Sequence, residues 1–273
     1  MKSRLLLLGA VVLPACSQPF SEGDDPGPGT RAIQEPRDAY YLVQPQDLLG
    51  NPTDGVPAPD LTQYGFLVCA AGLDPDDVRA AAPQATIFAY VSSHWIPDWG
   101  PQSTYWNSLR AAFDSSSFWV DSLGNRASTW PNTEELLYTV ENGAKLADFT
   151  LQNLAGYDGL YVDDCWGNLS PLIYSQLPVS QSDWPQVEQD WDAYMDELLL
   201  TLRAGTSQLI VGNSGASVVE LRHVGLDGFA SEEWLPDQRP IILEEFQRYD
   251  PSLCVTWEWD AWPLARPGDI RYR

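Results

Sequence analysis

Short runs of β-branched and aromatic residues recur along the chain at positions 39–43, 64–70, 85–92, 159–165, 209–213, 228–232 and 253–259, with helical or loop-like stretches between them. Strands that alternate with helices predict a parallel sheet. Three helices stand out between the runs. Asp74-Pro75-Asp76-Asp77 supplies a cap, a first-turn proline and acidic residues ahead of Val78 to Ala82, and Pro83 stops that helix. A second is expected to start at Asn132, with Glu135 completing a capping-box-like pair, and to run toward Gly156. The third covers residues 185–203, with Val187, Trp191, Tyr194, Leu198 and Leu202 on one stripe and Gly205 just past its end.

Seven strands alternating with helices over residues 38–273 fit an α/β fold of the (β/α)8 TIM-barrel type, which typically takes about 250 residues. The main competitor is a doubly wound open sheet. No G-x-G-x-x-G or P-loop pattern follows an early strand, so its nucleotide-binding versions lose support. Only eleven residues follow Trp262, too few for a last helix, an eighth strand and a closing helix. Either residues 39–43 pair in an unusual way, or the barrel is incomplete or truncated at its C-terminus. No repeat of solenoid period is present.

The first residues change the picture from a fold to an exported fold. Lys2 and Arg4 precede an apolar run from Leu5 to Leu13, and Leu13-Pro14-Ala15-Cys16 follows. Residues 1–16 read as a lipoprotein signal peptide and lipobox, in which Cys16 is the lipidated residue. That run is too short to span a bilayer as a helix. Residues 17–37 are rich in Pro, Gly and acidic groups and read as a flexible tether, which leaves 38–273 as the barrel domain. The expected location is the outside of a bacterial membrane, held there by a lipid anchor alone.

Composition adds exclusions. A formal net charge of −23 repels nucleic acid and anionic lipid surfaces, so neither is an expected partner. Cys69, Cys165 and Cys254 are widely spaced with no C-x-x-C, which indicates neither a zinc knuckle nor a disulfide framework. Cys69 and Cys254 lie in apolar runs and read as small buried hydrophobes. No metal and no organic cofactor is expected, and the chain is read as a monomer.

The chemistry concentrates in two similar phrases, Asp158-Gly-Leu-Tyr-Val-Asp163 and Asp227-Gly-Phe-Ala-Ser-Glu232. Strand side chains alternate between faces, so Gly159, Tyr161 and Asp163 share one face, as do Gly228, Ala230 and Glu232. These are the fourth and sixth strands in order, and strands of equal parity feed the same layer of a barrel. Asp163 and Glu232 are the expected catalytic pair, because glycosidic hydrolysis needs one carboxyl group to protonate the leaving oxygen and another to act as nucleophile or activate water. Single acids at strand ends more often cap turns; two at matched offsets, with Asn213 ending the strand between them, favour a site.

Further candidates for binding substrate are Tyr90, His94 and Trp95 after the third strand, Asp164, Trp166 and Asn213, then Glu233, Trp234, Trp257 and Glu258. Asp164 and Glu233, next to the catalytic candidates, are expected to face the opposite way and pin loops. Glu258 and Asp260 are rivals for a catalytic role. Of the twelve tryptophans, Trp95, Trp99, Trp166, Trp234, Trp257, Trp259 and Trp262 lie beside strand ends, where indole rings can stack on the apolar faces of sugars. Trp191, on its helical stripe, is a core residue.

The strand-end phrases Phe88-Ala-Tyr-Val-Ser92, Phe118-Trp-Val-Asp-Ser-Leu-Gly124, Asp158 to Asp164, Val211-Gly-Asn213 and Asp227 to Glu232 occur in barrel order. As an ordered set they resemble those of bacterial glycoside hydrolases of TIM-barrel type, in the manner of endo-α-1,4-polygalactosaminidase-like and α-galactosidase-like barrels. The resemblance implies that Asp163 and Glu232 form the catalytic pair, with Tyr90 and Asn213 lining a sugar site. The expected function is hydrolysis of O-glycosidic bonds in a poly- or oligosaccharide. The alternative is a surface lipoprotein that binds carbohydrate on a silent barrel.

Overall fold

Seven parallel strands form one sheet in a computed structural model of the chain, which describes residues 39–49, 58–97, 104–169, 171–213, 222, 224–232, 248–249 and 253–257. They are β1 (Ala39–Val43), β2 (Phe66–Cys69), β3 (Thr86–Ser92), β6 (Gly159–Asp163), β7 (Leu209–Asn213), β8 (Gly228–Glu232) and β9 (Cys254–Trp257). Two short strands, β4 (Trp95–Pro97) and β5 (Thr133–Glu135), pair antiparallel outside that sheet. The sheet order is β1-β2-β3-β6-β7-β8-β9, so every strand lies beside its predecessor and the winding never reverses. A doubly wound sheet reverses its order midway, whereas a (β/α)8-type barrel winds in one direction. The fold is of the barrel type, with β1 and β9 at the edges of the described sheet.

Both faces of the central strands are covered. Every residue of β2 and of β6 is buried, as parallel strands with helices on the outside and packed side chains on the inside must be. Helix α2 (Pro75–Ala81) starts where its sequence says: the Asp74 side chain accepts a hydrogen bond from the Asp76 amide, and Pro75 fills the first turn. Helix α6 (Trp184–Gly205) buries Val187, Trp191, Tyr194, Leu198 and Leu202 together with Met195 and Leu199. It packs along α4 (Val140–Asn153).

The segment before α4 differs from the expected helix at Asn132. Asn132 has φ 60° and turns the chain, residues 133–135 form β5, and α4 begins at Val140 with Thr139 as its cap. The reason is the fate of the Glu135 side chain. Instead of reaching back to cap a helix, it is fully buried and accepts bonds from Thr129 Oγ1 at 2.6 Å and Tyr138 Oη at 2.7 Å. The run from Trp95 to Glu135, with α3 (Thr104–Ala112) inside it, thus forms an excursion beyond the C-terminal end of β3.

The two matched Asp-Gly phrases have a structural half. Asp158 Oδ2 accepts the Ile87 amide at 3.0 Å, and its Oδ1 pairs with Arg79 of α2 at 3.0 Å. Asp227 does the same job two strands later, accepting the Ile210 amide at 2.9 Å and pairing with Arg203 of α6 at 2.6 Å. Each aspartate pins the start of its strand to the neighbouring strand and to the helix that precedes that neighbour. Each following glycine gives room for adjacent strands to approach. A Cβ on Gly159 would stand 2.3 Å from Phe88 Cε1 and 2.8 Å from the Leu209 carbonyl; one on Gly228 would stand 2.4 Å from the Leu253 carbonyl. Gly159→Ala is therefore expected to destabilise the fold by about 1–3 kcal/mol through overpacking, read as a lower urea midpoint at unchanged slope. A midpoint equal to that of the unsubstituted protein contradicts this account of the glycine.

Candidate active site

Asp163 ends β6 at the C-terminal edge of the sheet, the edge at which barrel enzymes build their sites. Its two oxygens are held from both sides. Tyr90 Oη, from β3, donates to Oδ2 at 2.5 Å, and Asn213 Nδ2, from β7, donates to Oδ1 at 2.6 Å. The Asp164 amide adds a third bond to Oδ1 at 3.0 Å. Register explains the convergence, because Ser92 pairs with Asp163 and Tyr90 with Tyr161, so all these positions share one face. Tyr90 and Asn213 are thus brought to Asp163 from the strands on either side.

The carboxyl group is 8% exposed. Burial, and next the negative charge of Asp164, push its pKa up to about 7, against the three hydrogen bonds that favour the charged form. A carboxylate poised near neutrality and oriented by fixed donors is suited to proton transfer or nucleophilic attack.

Asp164 departs from the strand alternation. Its φ is 53°, in the left-handed region, and the turn buries its side chain instead of sending it outward to a loop. Its Oδ2 accepts a bond from Trp95 Nε1 at 2.9 Å and lies 3.4 Å from His94 Nε2. His94, expected to contact a sugar, is fully buried, and its Nδ1 sits 2.5 Å from Glu135 Oε1. The contact comes from β5, paired with β4 across the long excursion, which the strand pattern alone does not convey.

Trp95 and Trp166 are 7% and 3% exposed. Their rings are covered by protein: Trp166 lies against His94 and Trp191, and Trp95 against Tyr90. In this structure neither presents an open stacking face. Glu135 is the residue that sequence reasoning assigned to the wrong task. The signal was present in the turn-forming Pro131-Asn132 ahead of a period-two run that puts Thr133 and Glu135 on one face.

Asn213 pairs with Ala230 in the register, which sets position 232 on the same face as 213 and 163, one strand pair farther along. Glu232 and Trp257 belong to described strands, but their side chains lie outside what is described. Cys16, Trp99, Glu233, Trp234, Glu258, Trp259, Asp260 and Trp262 lie outside the described residues altogether. Among the described residues no group of His, Cys, Asp and Glu has the arrangement of a metal site.

No protein-family model matches the chain, and no curated protein matches it in sequence. Among solved structures it is similar to the GH36 α-galactosidase AgaA from Geobacillus stearothermophilus, at 10% identity and a TM-score of 0.41, over 76% of this chain and 32% of that one. The A355E D478A form of that enzyme, in complex with stachyose, is matched at 9% identity with the same TM-score of 0.41 and the same coverage, 76% and 32%. An α-amylase from Lactobacillus plantarum is matched at 12% identity and a TM-score of 0.41, over 81% of this chain and 62% of the other. The chain thus spans about a third of the α-galactosidase it matches and less than two thirds of the amylase.

Proposed function

We propose that the protein is an exported, lipid-anchored glycoside hydrolase that cleaves O-glycosidic bonds with Asp163 and Glu232. One observation carries the reading: a buried carboxylate at the C-terminal end of a central barrel strand, held by a tyrosine and an asparagine from the two flanking strands. Asp163 is assigned as nucleophile or stabilising carboxylate, because three donors orient it and its Oδ2 keeps a lone pair beyond the Tyr90 bond. Glu232 is assigned as general acid/base from its place on the same face. Asp164, Trp95 and Trp166 support the site from behind, while Tyr90 and Asn213 line it. Glu233, Trp234, Trp257 and Glu258 remain candidates for the sugar subsites.

In the chemistry this assigns, one carboxyl group protonates the glycosidic oxygen and the other attacks or stabilises the anomeric carbon. The test is a screen of residues 38–273 against oligo- and polysaccharides, repeated with Asp163→Asn and Glu232→Gln. Cleavage by the unsubstituted domain that both variants abolish supports the assignment. Equal cleavage by the variants removes it, and binding without cleavage by any form favours the carbohydrate-binding alternative.

Anchoring has its own test. When the full chain is expressed in a bacterium that processes lipoproteins, Cys16→Ser is expected to leave uncleaved precursor without incorporated lipid. Normal fatty-acid labelling of that variant argues against the anchor.

A further inference from the structure

Behind Asp163 lies a second set of charged groups that the proposed hydrolysis does not use. The His94 ring is fully buried between two carboxylates, with Nδ1 2.5 Å from Glu135 Oε1 and Nε2 3.4 Å from Asp164 Oδ2. The state of the ring follows from what those oxygens can do. Glu135 accepts hydroxyl protons from Tyr138 and Thr129 on its two oxygens, and Asp164 Oδ2 accepts the indole N–H of Trp95, which can only donate. Both imidazole nitrogens therefore face acceptors. A neutral ring carries one N–H and would turn a lone pair on one of these oxygens, whereas an imidazolium donates to Glu135 and turns its second N–H toward Asp164, whose Oδ2 stands 3.4 Å from Nε2, a contact longer than a closed hydrogen bond.

The chain of groups continues to the site. Asp164 is bonded through its amide to Asp163 Oδ1, and its carbonyl is held by Ser93 Oγ at 3.1 Å. Glu135 and Asp164 thus face the histidine from two sides, and Asp163 adjoins Asp164 in the chain, all three carboxylates being buried. The negative charge of Asp164 raises the pKa of its neighbour Asp163 to the extent that no cation offsets it.

We propose that His94 is a permanently protonated positioning residue: clamped between Glu135 and Asp164, it neutralises Asp164 so that the neighbouring Asp163 can carry the negative charge of the active site. The role assigned to Asp163 rests on the proposed hydrolysis; the charge state of His94 does not. The groups facing His94 are Glu135 from β5, Tyr138 ahead of α4, Asp164 after β6, and the rings of Trp166 and of Trp191 on α6. Burial by itself favours the neutral ring; the Glu135 charge and the contacts with Asp164 overcome it and hold the proton up to about 10. Tyr194 of α6 secures the same loop by donating from its hydroxyl to the Ser93 carbonyl.

The chain has two histidines, so His223→Gln leaves a single imidazole to observe. In nitrogen-proton correlation spectra of that full-length variant, His94 is expected to show both ring nitrogens protonated from pH 5 to 8.5. A neutral tautomer at pH 7 overturns the proposal. A carbon-detected titration of the Asp163 carboxyl group, assigned by its loss in Asp163→Asn, then reads the coupling without any substrate. Asp164→Asn is expected to lower the Asp163 midpoint and His94→Gln to raise it, each by about one pH unit. The acid limb of kcat/KM should move in the same directions if hydrolysis is found.

Midpoints that stay put in Asp164→Asn overturn the positioning role, and that variant decides the matter even if His94→Gln does not fold. An imidazolium with the expected midpoint shifts in a protein that cleaves no glycan upholds the charge relay while removing the hydrolase reading.

Discussion

Asp163→Asn is expected to lower glycoside hydrolysis by roughly 10⁴-fold, the scale on which a directly acting carboxyl group contributes, while the protein stays folded. The substitution keeps the volume of the side chain, removes the charge and turns one acceptor oxygen into an amide donor; placed at Oδ2, that donor meets the Tyr90 hydroxyl, which can rotate to accept, while Oδ1 still accepts from Asn213 and the Asp164 amide. The stability side can be signed. Folding raises the pKa of Asp163 from 3.8 to about 7, so the native state binds more protons than the unfolded chain between those values. The contribution of the group to stability is therefore fully present below pH 3.8 and is lost as pH rises through about 7. Above that pH the native protein holds a charge that its burial disfavours. Asp163→Asn, with no such charge, is expected to be at least as stable as the parent at pH 8 in urea unfolding. Loss of activity with unchanged or higher stability is the mark of a functional acid; loss of both together speaks for a structural one.

Glu135→Ala carries the largest expected change in stability, a loss of about 3–5 kcal/mol, the range for breaking a buried ion pair from one side. The truncation leaves the His94 ring buried without its nearer carboxylate and removes the acceptor of both Thr129 and Tyr138. The pH dependence has a definite sign here too. His94 is raised from 6.5 to about 10 in the fold, so its stabilising contribution is complete below pH 6.5 and is lost as pH climbs toward 10. Urea midpoints measured across that window should fall with rising pH in the parent and fall less steeply in Glu135→Gln. A parent whose stability is flat from pH 6.5 to 10 contradicts a charged His94.

The comparison of the paired phrases shows how a sequence signal can be real and divided in its meaning. The matched Asp-Gly at 158–159 and 227–228 attracts attention as part of a site, yet these residues pin strand starts to Arg79 and Arg203 at the far end of the sheet from Asp163. The repeat recurs because two barrel units solve the same local problem, holding a strand start against its neighbour and against the helix that leads into that neighbour. Only the acids five residues later reach the edge where loops gather. Strand periodicity places Asp163 and Asn213 on one face, since alternation is a property of the backbone that any sequence in a strand obeys.

The alternation fails one residue beyond the strand. Asp164 in a left-handed turn points its carboxylate into the protein, and His94, two residues past β3, meets Glu135 of β5, which lies some forty positions away in the chain. Glu135 shows the same limit from the other side: its local context after Asn132 fits a helix start, but a buried partner from distant sequence outweighs a cap that contributes about 1 kcal/mol.

For this protein the sequence by itself determined the seven sheet strands, two of the three proposed helices and the faces on which Tyr90, Asp163 and Asn213 lie. All of these follow from short-range periodicity and turn chemistry, which act within a few residues. The tertiary structure alone decided that Asp163 is held from both neighbouring strands, that His94 sits between two carboxylates, and that Glu135 belongs to a buried network and not to a helix cap. Those outcomes depend on which groups meet when distant segments close on one another, where burial strengthens each charge-charge contact and leaves no water to replace a missing partner.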